Sequence, residues 1–273
     1  MIVGILVIGN EVLDGIILDT NSNWLARRLI PLGAKIMTRI TVRDDISAIS
    51  WALHYLIELG CDVIFISGGL GPTHDDMTLQ GIVHALDMEL ELNLQALAIV
   101  KRQYQWLYKK GLVDTPEINE PRRKMAKLPK GAIPLDNRVG GAPGVLIERK
   151  NILIFALPGV PAELKSIYKA EIEQFLLKKR SKFYSEVVTD REVKDESMIA
   201  PLIDQLMTQF PNLWVKSLPP AYGTSNKIRF WFSLSSDKED PETLRKTIDS
   251  AIKTFDKLLK EQISNSGKND NSS

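Results

Sequence analysis

A single cysteine, Cys61, stands among the 273 residues, which excludes an internal disulfide and any cysteine metal cluster and fits a reducing cytoplasm. An excess of either charge is also missing, since 35 lysines and arginines face 34 aspartates and glutamates. No global field therefore draws the chain to nucleic acid or to an anionic membrane, and any nucleotide specificity is local. No apolar run approaches the roughly twenty residues of a membrane span. The apolar start at residues 1–8 has no basic segment before it, and Gly9-Asn10-Glu11 ends it, so it reads as a buried strand rather than a signal. Two phosphate signatures are lacking as well: the lysine-bearing P-loop and the glycine fingerprint of dinucleotide-binding folds. ATPase and nicotinamide-dehydrogenase readings fall away with them, and no motif supplies a serine or cysteine nucleophile.

What the chain does have is a glycine-rich stretch at residues 67–78, Ser67-Gly68-Gly69-Leu70-Gly71-Pro72-Thr73-His74-Asp75-Asp76-Met77-Thr78. It follows an apolar, β-branched run at 61–66 and precedes a helical pattern at 79–86, which makes it a strand-to-helix loop. Its glycines let the backbone approach a bound group and adopt positive φ, and free N–H groups at a helix start favour an anion. Adjacent carboxylates repel unless solvent, a proton, a cation or hydrogen-bond donors relieve them. The loop reads either as a phosphate-accepting turn with acids suited to Mg²⁺, or as a plain turn with Asp at the helix cap.

Strands expected at 2–8, 34–42 and 61–66 alternate with helices expected at 24–30 and 46–59, the first capped by Asp19 or Thr20. Strands apolar nearly throughout indicate an α/β fold, a mostly parallel sheet flanked by helices in three layers. Ligands of such sheets bind at the carboxyl ends of the strands, which places residues 9–14, 43–45 and 68–76 on one rim. The tyrosines and Trp106 of a helix at 93–110 have helical spacing and read as core or interface, not as a base-stacking platform. Five cations at 121–130 read as a solvated face, with phosphate contact as the alternative. A second glycine loop at 137–144 precedes a hairpin of 145–149 and 152–157. Pro158-Gly159-Val160-Pro161 then turns into a helix at 162–175 with Glu163 in its first turn.

The character changes around 178–182. Residues 1–176 are expected to form the ligand-binding α/β domain and residues 183–262 a small α+β domain of order βαββα. The polar stretch 263–273 is expected to be a disordered tail.

Together these pieces resemble the MoaB/MogA-like molybdenum-cofactor biosynthesis domain, and more closely its version in the competence/damage-inducible CinA proteins. The matching residues are Gly9-Asn10-Glu11-Val12-Leu13 with Gly15 and Asp19-Thr20-Asn21, then Gly68 through Thr78. To these are added Asn137 with Ala142-Pro143-Gly144, and Leu157-Pro158-Gly159-Val160-Pro161-Ala162-Glu163. The likeness is close over residues 1–175, and the remainder resembles the smaller CinA middle domain. It implies binding of a phosphorylated pterin or a nucleotide. In the CinA branch it implies divalent-metal-dependent hydrolysis of the pyrophosphate bond in ADP-ribose or a related dinucleotide such as FAD or NAD. In the MogA branch it implies molybdopterin binding or adenylylation, and a non-catalytic nucleotide-binding subunit is a further course.

By position, the resemblance implies catalytic roles for Asp76 and Asp44, and Mg²⁺, Mn²⁺ or Co²⁺ held by Asp76, Asp75, Asp44 and Glu11. It implies a phosphate- and substrate-binding set of Gly9, Asn10, Glu11, Asn21, Ser67, Gly68, Gly69, Gly71, Pro72, Thr73, Thr78, Asn137, Gly141, Pro143, Gly144, Pro158 and Gly159. Asn10 stands where the family usually has Asp, which removes one possible metal-side carboxylate. The C-terminal amidohydrolase domain of full-length CinA has no counterpart here, so nicotinamide mononucleotide deamidation is not expected. The expected partners are a small-molecule nucleotide or pterin and further copies of the chain in a homo-oligomer, without nucleic acid or membrane.

Overall fold

Every residue of β1 (Ile2–Ile8) after the first is buried, as is all of β3 (Val63–Ser67), the burial of strands covered on both faces. β2 (Lys35–Val42) shows alternation instead and lies at the sheet edge. This computed structural model describes residues 1–180, 182–193, 195–218, 220 and 227–269. One unit comprises residues 1–30 and 34–180, and a second comprises 31–33 with the described residues from 182 onward.

In the first unit, two further strands are β4 (Leu90–Leu92) and β5 (Lys127–Pro129), which pair with each other alone. With β6 (Ile133–Leu135), β7 (Gly144–Arg149) and β8 (Ile152–Leu157), the main sheet has the order β2-β1-β3-β8-β7-β6. β2, β1, β3 and β8 run parallel, and β7 alone runs against its neighbours. This is the mostly parallel, helix-flanked α/β fold.

Helices cover both faces. α1 (Asn10–Leu13) is a single turn, and α2 (Asn21–Leu29), α3 (Ile46–Glu58), α4 (Thr78–Leu86) and α5 (Leu94–Lys109) follow. Leu6, Ile64, Ile66 and Ile154 form one buried core with Ile49 and Leu53 of α3, Ile82 of α4 and Val100 of α5. Each such side chain contributes about 1.5–3 kcal/mol by leaving water. One residue along each strand the pleat reverses. There Phe65 stacks on Phe155 at 5.0 Å, and Trp24 meets Tyr168 edge-on at 5.1 Å. α6 (Glu120–Lys124) is short. The helix expected at 162–175 is α7 (Pro161–Ile167), a π turn at Tyr168–Ile172, and α8 (Glu173–Lys178). The wider turn keeps Leu164, Ile167, Tyr168, Ile172 and Leu176 all fully buried.

The second unit has β9 (Phe183–Glu192), α9 (Ala200–Gln209), β10 (Leu213–Leu218), β11 (Lys227–Ser236) and α10 (Pro241–Asn269). Its antiparallel sheet, β10-β11-β9, packs Phe230 and Phe232 against Phe255 of α10. The tail expected to be disordered from residue 263 differs in part, because α10 continues to Asn269. Once nucleated, a helix propagates one residue at a time, so a polar sequence can extend it. Residues 270–273 lie outside the described residues. Among the described residues no helix is long and apolar enough to cross a membrane.

Candidate functional site

The four parallel strands end on one rim, and the segments that leave them enclose a cavity of about 630 Å³. Its floor is the turn after β3. Gly68 and Gly69 hold φ of 110° and 63°, where side chains are rarely accommodated. A Cβ on Gly68 would fall 2.0 Å from the Ile8 carbonyl oxygen, and one on Gly69 2.3 Å from Thr78 Oγ1. Only glycine fits either place.

Thr78, fully buried at the start of α4, donates its hydroxyl to the Gly68 carbonyl at 2.7 Å and its amide to that of Gly69 at 3.2 Å. The Gly68 amide is itself engaged by the Leu157 carbonyl at 3.0 Å. It is therefore no phosphate donor. Among the described residues the amides of Gly69, Leu70 and Gly71 find no acceptor, and all three residues line the cavity.

Asn21 staples three segments together at the first turn of α2. Its Nδ2 donates to Ser67 Oγ at 2.9 Å and to the Gly159 carbonyl at 2.7 Å. The Gly159 carbonyl, which can only accept, identifies the nitrogen and leaves Oδ1 without a partner on a residue only 7 % exposed. A buried acceptor left unmade costs about 1–3 kcal/mol. Asp19 sets the helix start by accepting the Ser22 amide at 2.9 Å.

The acids gather after β1, β2 and β3. Asp44 accepts the Asn10 amide at 3.0 Å. Burial holds the Asp44 carboxyl above its ordinary range against that hydrogen bond, and the charges of Glu11, Asp75 and Asp76 push the same way as burial. Asp76 turns inward on its own loop: Oδ2 accepts the Thr73 amide at 2.8 Å and the Thr73 hydroxyl at 2.5 Å. The four acids expected to share a cation all line the cavity, yet among the described residues no three His, Cys, Asp or Glu side chains form a ready-made metal-holding group. The donor set fits Mg²⁺ in its looser mode, with one or two carboxylates and the remaining oxygens from ligand phosphate and water.

The second glycine loop is organised around Asn137, which is fully buried. Its Nδ2 donates to the Ala142 carbonyl at 2.7 Å and to Glu163 Oε2 at 2.6 Å, while Oδ1 accepts the Val139 and Gly140 amides, each at 3.0 Å. Every hydrogen-bonding position of the Asn137 side chain is used, so it shapes the loop and does not reach a ligand. Asn10, Thr78, Pro143 and Gly144 likewise lie off the cavity lining; the remaining expected positions line it. Tyr104, Met125 and Glu163 line it too, and sequence reasoning missed them as site residues. Glu163 was visible as the last residue of a motif carrying the resemblance and as an acid in a helix's first turn, and Tyr104 only as one of several aromatics with helical spacing.

The cations at 122–130 act on the protein itself in two cases. Arg122 lies over the Tyr104 ring at 3.9 Å and donates to the Thr115 and Glu117 carbonyls at 2.7 and 2.6 Å. Lys124 donates to the Asp76 carbonyl at 2.8 Å and to that of Thr73. His74 has a side chain 97 % exposed and takes no part in the cavity.

Residues 4–178 match the family model described as a probable molybdopterin binding domain. The chain is 38 % identical over 245 residues to Protein PYRAB15930 of Pyrococcus abyssi, covering 90 % of this chain and 93 % of that one. Protein Ta0487 of Thermoplasma acidophilum is 34 % identical over 249 residues, covering 91 % and 92 %. Among solved structures, the protein CinA from Thermoplasma acidophilum superposes with a TM-score of 0.58 at 32 % identity, over 64 % of this chain and 99 % of that one.

Proposed function

The chain belongs to the MoaB/MogA-like family of probable molybdopterin binding domains, and from that premise we propose that its cavity binds a phosphorylated pterin of the molybdopterin kind, phosphate on the glycine turn. The observation that carries this reading is the set of unmade amides at Gly69, Leu70 and Gly71 in a turn only glycine can make. Successive N–H groups in such a turn form an anion-binding concavity. The buried Oδ1 of Asn21 accepts a ligand hydroxyl or N–H on the same floor.

A second reading is hydrolysis of a pyrophosphate bond, in ADP-ribose or in FAD or NAD. Asp44, Glu11, Asp75 and Asp76 all line the cavity, and a cation is one way to relieve the like charge between them, which supports this reading. Asp44 and Asp76 would hold that ion, Mg²⁺, Mn²⁺ or Co²⁺, with Glu11 and Asp75 beside them. When bound, it would neutralise phosphoryl charge and lower the pKa of a water. The chain's own contribution is positional: the glycine turn fixes the phosphate, Thr73 fixes the Asp76 carboxylate, and Asn10 fixes that of Asp44.

The test is a binding titration with a pterin phosphate, run beside incubation with ADP-ribose, FAD and NAD and each metal while AMP release is followed. Binding without turnover leaves the first reading standing and removes the second. Turnover abolished in a folded Asp76→Asn variant supports the second. Failure to bind any of these compounds removes both.

A further inference from the structure

The sheet of the second unit packs one face on its helices and exposes the other. Leu213, Val215, Phe230, Phe232 and Leu234 share a core with α9 and α10, so the alternate residues of β9, β10 and β11 stand on the opposite face. The solvated face of an antiparallel sheet is ordinarily polar. This one is not. The register sets Lys216 beside Trp231 and Trp231 beside Val188, with Trp214 and Leu218 on either side of Lys216 along β10. Trp214 is 55 % exposed, Val188 51 % and Leu218 43 %.

Two rings on this face are fixed in place. One carboxylate oxygen, Glu186 Oε2, accepts the Tyr184 hydroxyl at 2.7 Å and the Trp231 indole N–H at 2.9 Å. Rings held this way lose little side-chain entropy on meeting a partner, and Trp and Tyr are among the residues that dominate protein contacts. The charges are sorted by strand: Glu186, Asp190 and Glu192 lie on β9, Lys227 and Arg229 on β11, and Lys216 on β10. Arg229 pairs with Asp190 at 3.1 Å, while Lys216 has no partner among the described residues. These three cations and three acids cancel, so the face lacks the positive excess that draws a polyphosphate. It matches a surface with the same two halves in the opposite order.

We propose that this face docks on the same face of a second copy of the chain. A two-fold axis parallel to β11 lays the acidic β9 of one copy over the β10 of the other, so each Lys216 meets the acidic strand across the contact. The same rotation closes the apolar strip of Trp214, Trp231, Val188 and Leu218 against its own image. Sheets stacked face to face lie about 10 Å apart, a gap that side chains of this size fill. β10 has only six residues. Three such strands, about 4.8 Å apart, present a few hundred Å². A standard interface buries roughly 800 Å² a side, so the association is weak, of micromolar strength.

Sedimentation velocity of the full chain over about 1–200 µM tests it. The wild type is expected to double in mass across that range. Trp214→Ala should weaken this association by about tenfold or more. Lys216→Glu should weaken it by about three- to tenfold at low salt, and by less as salt is added. Both side chains are exposed, so both variants should melt with the wild type. A wild-type mass that stays constant across the range overturns the proposal, and needs no variant to do so. A doubling that neither variant weakens overturns it too, because the contact then lies on another surface. Binding of a labelled single-stranded oligonucleotide, abolished by Trp214→Ala, would assign the aromatic face to nucleic acid instead.

Discussion

The Lys124 ammonium donates to the backbone oxygen of Asp76 at 2.8 Å, and also to that of Thr73, so a side chain at the end of α6 fastens the acidic loop from outside the cavity. Lys124→Met should lower stability by about 1.5–3 kcal/mol, the range for a hydrogen bond to a charged group. Hydrogen exchange at the amides of residues 73–77 should accelerate by more than the global destabilisation explains. Unchanged exchange there would mean that Thr73 and Asp76 hold the loop by themselves.

The glycines of the turn differ in what they tolerate. Gly68→Ala drives a Cβ into the Ile8 carbonyl, a rigid backbone atom, at positive φ, and should cost about 3 kcal/mol or more in a urea titration. Gly71→Ala meets only the far end of the Asp76 side chain, 2.6 Å away, and should cost less than about 1 kcal/mol. It should nevertheless disturb the carboxylate and weaken phosphate binding. Equal costs for the two would contradict the packing described.

Asn137→Asp replaces a donor 2.6 Å from Glu163 with a second carboxyl. Each acid then raises the other's pKa. A folded-state pKa above the unfolded value means stability that is present below the unfolded pKa and lost as pH rises through the folded one. The variant should approach wild-type stability near about pH 4 and fall short by about 3 kcal/mol at neutrality. A deficit independent of pH would point to lost packing instead.

Glu163→Gln should show what burying this carboxyl does to stability. Burial already raises the Glu163 carboxyl, so in the wild type its ionised form weighs against the fold once pH passes its ordinary value near 4.5. The neutral amide escapes that cost while still accepting from Asn137. Its melting temperature at neutral pH should match or exceed wild type, with the advantage fading on acidification. A lower melting temperature at neutrality would show the carboxylate to be stabilising.

The central strands were legible because β1 and β3 are apolar throughout, and the loops on their rim followed from the rule for parallel sheets. β4, β5 and β6 were not, since three residues are too few to display alternation. The glycine loop was readable as a tight strand-to-helix turn, yet which amides are free depends on Leu157, a strand away in space and 89 positions away in sequence. Asn137 carried the resemblance's motif but proved to be scaffold, because its four bonds exist only once the loop closes. Tyr104 and Glu163 come from two helices far apart in sequence, and neither periodicity nor polarity reveals that both line the same cavity.

The Asn21 amide reaches acceptors 46 and 138 positions along the chain. Contacts of such long range form late, after the entropy of closing the intervening chain has been met. The cavity floor therefore cannot exist in a partly folded chain that lacks either β3 or the turn after β8. A ligand seated there binds only the finished sheet, so its affinity should appear as added stability of the whole first unit, growing with the logarithm of ligand concentration.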